Sequence, residues 1–487
     1  MSEARTILRH SPVYLASALL NRGTGVILVM AYSRWLGIEA YGMLGMAMIA
    51  AELIGIVASL QIADGLARFV FEHQDDQRRR QVVTTAVLGL AGLTLIATPI
   101  LALILPWVAQ WAVGDRRLGQ IFLVAGVATC CDTGFAILLT YLRSTLRSSA
   151  VLVASTVRSL LLLGSGALLV GWLGLGLTGA VWGLCLANSL AVVVLAVLML
   201  RRTGLRVDRG DLRAMLRYGA KITPAYLIEA GAKFVERAWI AQLVGLASAG
   251  AFYLALRLCD LLSQLLIVPF QQVFVVGRYD LHRDGGGDAQ GPRLHTAFAV
   301  LLATAALALS ALGPELVAML AGHGYDEAPK MLPALAAATA VFALTGMVEL
   351  PIHFAKRPDR ITYAVAAAAC LHLPLVWLGA WSFGATGAAC GRLGGVAIRI
   401  ACTALAARDL PGPRPQWRRL LVLAAVAALA FAALAAAACL PGALGLGLRL
   451  AVVAIFPAAV LLTPVFSTED RARVLARFRR TAQVQRA

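Results

Sequence analysis

Between Tyr218 and Asp260 the chain reads YGAKITPAYLIEAGAKFVERAWIAQLVGLASAGAFYLALRLCD. The stretch is apolar enough to lie in a membrane, yet it carries Lys221, Glu229, Lys233, Glu236, Arg237, Arg257 and Asp260. A charge near a bilayer centre costs roughly 2.5–3.5 kcal/mol on insertion scales. Such groups avoid lipid and face the interior of a helix bundle or a wet cavity. Glu229, Lys233 and Glu236 follow i, i+4, i+7 spacing and share one helix face. Arg237 borders that face, four residues after Lys233. Four cations against three acids are suited to an anion, and arginine's planar fork suits phosphate in particular. The same residues could instead neutralise one another, Glu229 with Lys233 and Glu236 with Arg237, and simply lock helices together.

The rest of the chain must hold this stretch in a membrane. Of its 487 residues 60% are hydrophobic and 14% charged, against about 25% charged in an ordinary soluble domain. That is the composition of an all-α polytopic membrane protein. About fourteen segments have the roughly 20 predominantly apolar residues that a spanning helix needs. They lie near 12–34, 41–63, 82–106, 119–142, 148–172, 176–200, 214–244, 247–276, 294–321, 328–355, 359–382, 384–407, 419–440 and 443–466. The charged seventh and tenth are the weakest by hydropathy.

The net charge of +18 follows the positive-inside rule and does not point to nucleic acid. With both termini in the cytoplasm, 30 of the 43 Lys and Arg residues fall on the inner side and five on the outer. The other eight lie within helices: Arg22, Arg158, Lys221, Lys233, Arg237, Arg257, Arg392 and Arg399. Only six acids accompany them, Glu52, Asp132, Glu229, Glu236, Asp260 and Glu349. Of these, Glu52, Asp132, Glu229, Asp260 and Glu349 could exchange a proton or Na⁺. No other cofactor and no metal is expected. The eight cysteines sit in apolar runs without metal-ligand spacing and read as packing residues. No phosphate-binding loop, nucleophile set or sizeable soluble domain is recognisable, which argues against an ATP-driven pump and against an enzyme.

The chain repeats itself. Leu36-Gly37-Ile38-Glu39-Ala40-Tyr41-Gly42 returns as Val244-Gly245-Leu246-Ala247-Ser248-Ala249-Gly250. Thr178-Gly179-Ala180-Val181-Trp182-Gly183 returns as Thr386-Gly387-Ala388-Ala389-Cys390-Gly391, at the same 208-residue offset. Six helices per repeat is an even number, so the halves run parallel about an axis along the membrane normal. The expected divisions are an N-lobe at 1–205, a C-lobe at 206–410, two appended helices at 411–467 and a basic cytoplasmic tail at 468–487. If the lobes superpose, Arg22 of the first helix is brought near the Lys233/Arg237 face. Gly285-Gly286-Gly287 reads as a flexible inner linker, and Val474, Leu475 and Phe478 suggest an interfacial helix in the tail.

One set of motifs carries a family resemblance. It comprises Arg34-x-Leu36-Gly37-x-x-x-Tyr41-Gly42, Asp64-Gly65 with Arg68, and Leu216-Arg217-Tyr218-Gly219 with Pro224. Glu236-Arg237, Gly250 and Tyr253 complete it. The chain resembles the polysaccharide-transporter branch of the multidrug/oligosaccharidyl-lipid/polysaccharide flippase superfamily, departing from it in Glu236 and in Ala251-Phe252. The resemblance implies two six-helix lobes around a central cavity in the bacterial inner membrane. It also implies flipping of an undecaprenyl-pyrophosphate-linked oligosaccharide by alternating access, alongside glycosyltransferases and a polysaccharide polymerase. On that reading Arg22, Lys233, Arg237 and Arg257 would bind the pyrophosphate, offsetting the prohibitive cost of moving it through hydrocarbon unaccompanied. The alternatives are a cation-coupled multidrug exporter or a lipid II flippase of the same fold. A membrane scaffold or acyltransferase is a more distant one.

The charge split makes a direct prediction. Single cysteines placed at Asp326 and at Gly286 should react with an impermeant thiol reagent from opposite sides of the membrane. Labelling from one side at both positions would overturn the helix count.

Overall fold

The computed structural model describes residues 2–69, 75–200, 207–271, 287–355, 357–412, 414–440 and 442–466. The tail at 468–487 and most of the glycine linker lie outside them, although Gly287 already belongs to a helix. Among the described residues fourteen long helices follow one another, and they match the fourteen apolar segments. They are α1 (Ser2–Trp35), α2 (Ile38–Ser59), α3 (Asp76–Val113), α4 (Leu118–Ser144), α5 (Ser148–Trp172, with a π-helical last turn) and α6 (Gly176–Leu200). Next come α7 (Arg209–Leu243), α8 (Leu246–Gln271), α9 (Gly287–Ala311, extended by Gly313–Leu320) and α10 (Ala328–Phe354, broken near its end). Then α11 and α12 form a continuous run, Pro358–Ala407, broken at Phe383 and Gly384; α13 (Trp417–Ala438) and α14 (Gly442–Leu462) close the series.

Length and hydropathy alone identify 11 of these as membrane spans. Two of the three differences have physical causes. The α11–α12 run counts as one span although Gly384, at φ 62°, breaks it in two, and the charges of α7 lower its hydropathy. In α1 an apolar run of span length lies between Val13 and Ala31, with Arg22 its one charge. Lipid is the solvent of the outer faces: Leu95 and Leu103 of α3 are each 76% exposed, which an aqueous surface would penalise.

Two compact units emerge. The first holds residues 1–254 with 320–327 and 376–388; the second holds 255–319, 328–375 and 389–487. In the first, Ile62, Leu66, Val83, Phe135, Leu138 and Met215 form a buried core. In the second, Leu423, Leu434, Phe456 and Val460 of α13 and α14 pack with Leu307 and Ala311 of α9.

Within the first unit the repeat becomes a contact. Gly37 and Gly245, 208 residues apart, both sit at positive φ (74° and 116°) just before α2 and α8. That region is open to glycine at little steric cost. A side chain on Gly250 would strike the Ile38 carbonyl oxygen, and one on Gly42 would meet the Leu246 carbonyl oxygen at 2.5 Å. Gly42 and Gly250 are equivalent, as are Ile38 and Leu246. Residue i touching j′ while i′ touches j is the pattern of a two-fold axis. Gly176 and Gly384 repeat the correspondence at the second motif, with φ 55° and 62°. Around the α2–α8 crossing, Tyr41 packs on Tyr253 and Tyr325 with ring centroids 5.0 and 6.0 Å apart. Tyr325 donates to the Ser33 carbonyl at 3.1 Å.

A second close crossing involves the motif glycines Gly65 and Gly219. The second apolar segment is not one helix to residue 63. It ends at Ser59, and Leu60 and Gln61 adopt left-handed φ of 44° and 52° before a short helix, Ile62–Phe69. Non-glycine residues rarely accept that conformation. A Cβ on Gly219 of α7 would collide with the Leu60 carbonyl, and one on Gly65 would meet Met215 backbone atoms at 2.7–3.1 Å. The backbones thus touch on both sides of the bend.

Gly250→Ala should therefore lower thermal stability in detergent, by about 1–3 kcal/mol if the helices must separate. Gly231→Ala, with nothing within 4 Å of the new methyl, should be neutral or stabilising by about 0.5–1 kcal/mol. Equal melting shifts for the two variants would contradict the close-approach account.

Candidate functional site

The α7 charges are brought to α2 by the crossings just described. Lys233 Nζ lies 3.2 Å from Glu229 Oε1 on its own helix and 3.4 Å from Glu52 Oε1 on α2. The first pair is the i, i+4 contact expected from spacing. The second joins residues 181 positions apart, which no local pattern could announce. All three side chains are part-exposed, between 29% and 46%, so the group borders a polar or lipid-accessible space and is not sealed. Glu52 and Glu229 share one ammonium, so this trio carries one carboxylate more than it has cations.

One turn on, Arg237 donates through Nη1 to the Gly45 carbonyl oxygen at 3.1 Å. Its guanidinium also stands 5.6 Å from the Tyr253 ring centroid, within cation–π range. Glu236 beside it is fully buried. The void bounded by Arg237, Gly45, Met46 and Tyr253 is only about 10 Å³, about one water probe. Arg237 is therefore packed away in this conformation, held by backbone and ring.

The other expected residues have their own surroundings. Arg22 sits half-buried on α1, which packs along α5: Ser17 Oγ meets Ser155 Oγ at 2.9 Å, and Ser159 Oγ reaches Asn21 Oδ1 at 3.4 Å. Among the described residues Arg22 joins none of the α7 ion pairs. Arg257, in the second unit, pairs with Asp260 at 3.1 Å. Glu349, also in the second unit, lies 3.4 Å from Arg399 and 4.0 Å from His353. Asp132 of α4 pairs with Arg158 of α5 at 2.5 Å. Thus Lys233, Glu229 and Glu52 come together with Arg237 nearby; Asp132 of the same unit pairs with Arg158, and Arg257, Asp260 and Glu349 belong to the second unit.

Sequence reasoning missed the neutral partners. Asn188 of α6 accepts from Arg158 Nε at 3.0 Å and donates to the Ala128 carbonyl at 3.3 Å, tying α4, α5 and α6. Phe135 lies under the same guanidinium at 5.2 Å. The available signal was Asn188 itself, a lone amide in an apolar helix, which in lipid seeks a partner across helices. No group of His, Cys, Asp or Glu among the described residues could hold a metal ion.

Comparisons with known proteins bear on the family and the fold. Residues 29–354 match the family described as "Polysaccharide biosynthesis protein". A structure of the lipid II flippase MurJ in an inward closed conformation aligns with TM-score 0.69 at 11% identity. It covers 93% of this chain and 98% of that one. An inward-facing multidrug resistance MATE transporter of the MOP superfamily aligns with TM-score 0.60 at 14% identity, covering 80% and 97%. At such identities the likeness is one of fold. No curated protein matches the chain in sequence.

The Asp132–Arg158 pair is testable by a double-mutant cycle. Asp132→Asn and Arg158→Gln should each lower the melting temperature in detergent, and the double variant should lose less than their sum. A coupling of about 0.5–3 kcal/mol is expected; strict additivity would mean that the pair contributes nothing.

Proposed function

The chain belongs to the polysaccharide biosynthesis protein family, and from that premise we propose that it flips an oligosaccharide carried on undecaprenyl pyrophosphate across the bacterial inner membrane. It works by alternating access, with both termini in the cytoplasm. Glycosyltransferases supply the loaded lipid at the inner face, and a polysaccharide polymerase consumes it at the outer face. The protein makes and breaks no covalent bond of its substrate.

The observation that carries this reading is the pair of cations at mid-membrane on α7, Lys233 and Arg237, each held by oxygen acceptors. Phosphate oxygens can take the place of carboxylate and carbonyl oxygens as acceptors for the same donors. An ammonium has three N–H groups, and Glu229 and Glu52 engage two of them. Proton or Na⁺ binding at either acid balances the trio's excess negative charge and frees Lys233 for the pyrophosphate. That ties Glu52 and Glu229, of the five acids named above, to coupling. Arg22 supplies a further cation, from α1.

The same excess acid is the one feature favouring a cation-coupled exporter. Transport assays separate the two readings. In liposomes loaded with lipid-linked oligosaccharide, a Lys233→Gln, Arg237→Gln double variant should lose translocation at normal protein level, and Arg237→Lys should keep part of it. Each lost charge–phosphate contact is expected to cost about 2–5 kcal/mol. Wild-type flipping by the double variant would overturn the assignment. Export of a cationic dye, without movement of the lipid-linked sugar, would replace it with the exporter reading.

A further inference from the structure

A second charged site lies at the other end of α7. Arg213, Arg217 and Lys221 recur every fourth residue, and with Tyr218 and Phe69 they line an open pocket of about 460 Å³. That volume falls within the roughly 300–1,000 Å³ typical of small-ligand sites. All three cations are exposed. Like charges at i, i+4 repel, so the row is unfavourable unless an anion occupies it.

The nearby acids among the described residues are engaged elsewhere. Asp208 and Asp211 hold Arg78 of α3 at 3.1 and 3.0 Å. Asp208 also caps α7, accepting from the Gly210 and Asp211 amides at 2.8 and 3.2 Å. Those amides and Arg78 keep its carboxyl below the usual carboxylate range, so it remains an anion bound to other donors. Asp64, on the short helix, lies beside Tyr226. Among the described residues, Arg213, Arg217 and Lys221 have no ion-pair partner. Lys233 and Arg237 further along α7 have acid, carbonyl or ring partners.

We propose that this pocket binds the phosphate or diphosphate of a lipid headgroup. The chemistry is that of a basic pocket at the mouth of a helix bundle, at headgroup depth. Phe69 and Tyr218 supply apolar surface beside the charges, as a lipid stem requires. The side of the membrane rests on the flippase reading above: there the pocket faces the cytoplasm, where the loaded carrier is made, and receives the headgroup before the Lys233 cluster does.

The test uses the full-length protein in detergent and reads binding, not transport. Farnesyl diphosphate and phosphatidylglycerol are titrated separately, and adducts are counted by native mass spectrometry. Phosphatidylcholine, which has no net charge, is the reference. An Arg213→Gln, Arg217→Gln, Lys221→Gln variant should bind the anionic probe about a hundredfold more weakly, roughly fivefold per cation removed, with phosphatidylcholine binding unchanged. An Arg213→Lys, Arg217→Lys variant should retain binding, because charge and not shape is required; it also controls for misfolding. Binding of farnesyl diphosphate alone assigns the site to diphosphate carriers, and binding of both probes assigns it to anionic headgroups generally. Equal affinity of wild type and the Gln variant for both probes overturns the proposal and leaves the flippase reading intact. Conversely, if the Gln variant loses binding while the Lys233/Arg237 variant still flips its substrate, the pocket stands and the flippase site falls.

Discussion

The closest constraint in this molecule is backbone against backbone. In lipid no hydrophobic effect draws helices together, and small residues that allow close approach supply the packing instead. Gly42 with Gly250, and Gly65 with Gly219, are among the points where no side chain fits. The first pair sets α2 against α8; the second sets the short helix after α2 against α7. Their combined effect is to fix α7 beside α2, and only then can Glu52 reach Lys233 and the Gly45 carbonyl reach Arg237.

Charge is distributed along α7 in two regimes. At mid-membrane every cation has an acid, a carbonyl or a ring within reach, as low dielectric demands. At the N-terminal end the row of three stands open, since water and headgroups can solvate it there. One helix therefore combines a tightly compensated segment with one whose three cations have no ion-pair partner among the described residues.

Much of the fold was legible in the sequence, because hydrophobic length and loop charge are one-dimensional signals. The fourteen segments coincide with fourteen helices, and the 208-residue offset reappears in the paired glycines. The break at Leu60–Gln61 was not legible. Neither residue favours a left-handed conformation, and Gly219 of α7 lies against the Leu60 and Gln61 carbonyl oxygens at the bend. At the site, Glu229–Lys233 could be read from spacing, whereas Glu52–Lys233 and Arg158–Asn188 could not. Those pairs depend on which helices become neighbours, information that spacing within a single helix does not contain. The grouping of Arg22 with α7 followed from repeat symmetry alone; beside it on α1, Ser17 and Asn21 bond to α5.

The Glu52–Lys233 contact also bears on how the protein is made. Between Lys221 and Arg237 the seventh helix carries five charges, and each would cost roughly 2.5–3.5 kcal/mol facing lipid alone. Such a segment is a poor candidate for independent release into the bilayer. Besides Glu229 on the same helix, the second carboxylate at its ammonium lies 181 residues earlier, on a helix already synthesised when α7 leaves the ribosome. Insertion of the seventh helix is thus templated by the second: the nascent chain carries its own counter-ion into the membrane first, and the order of translation does part of the work of assembly.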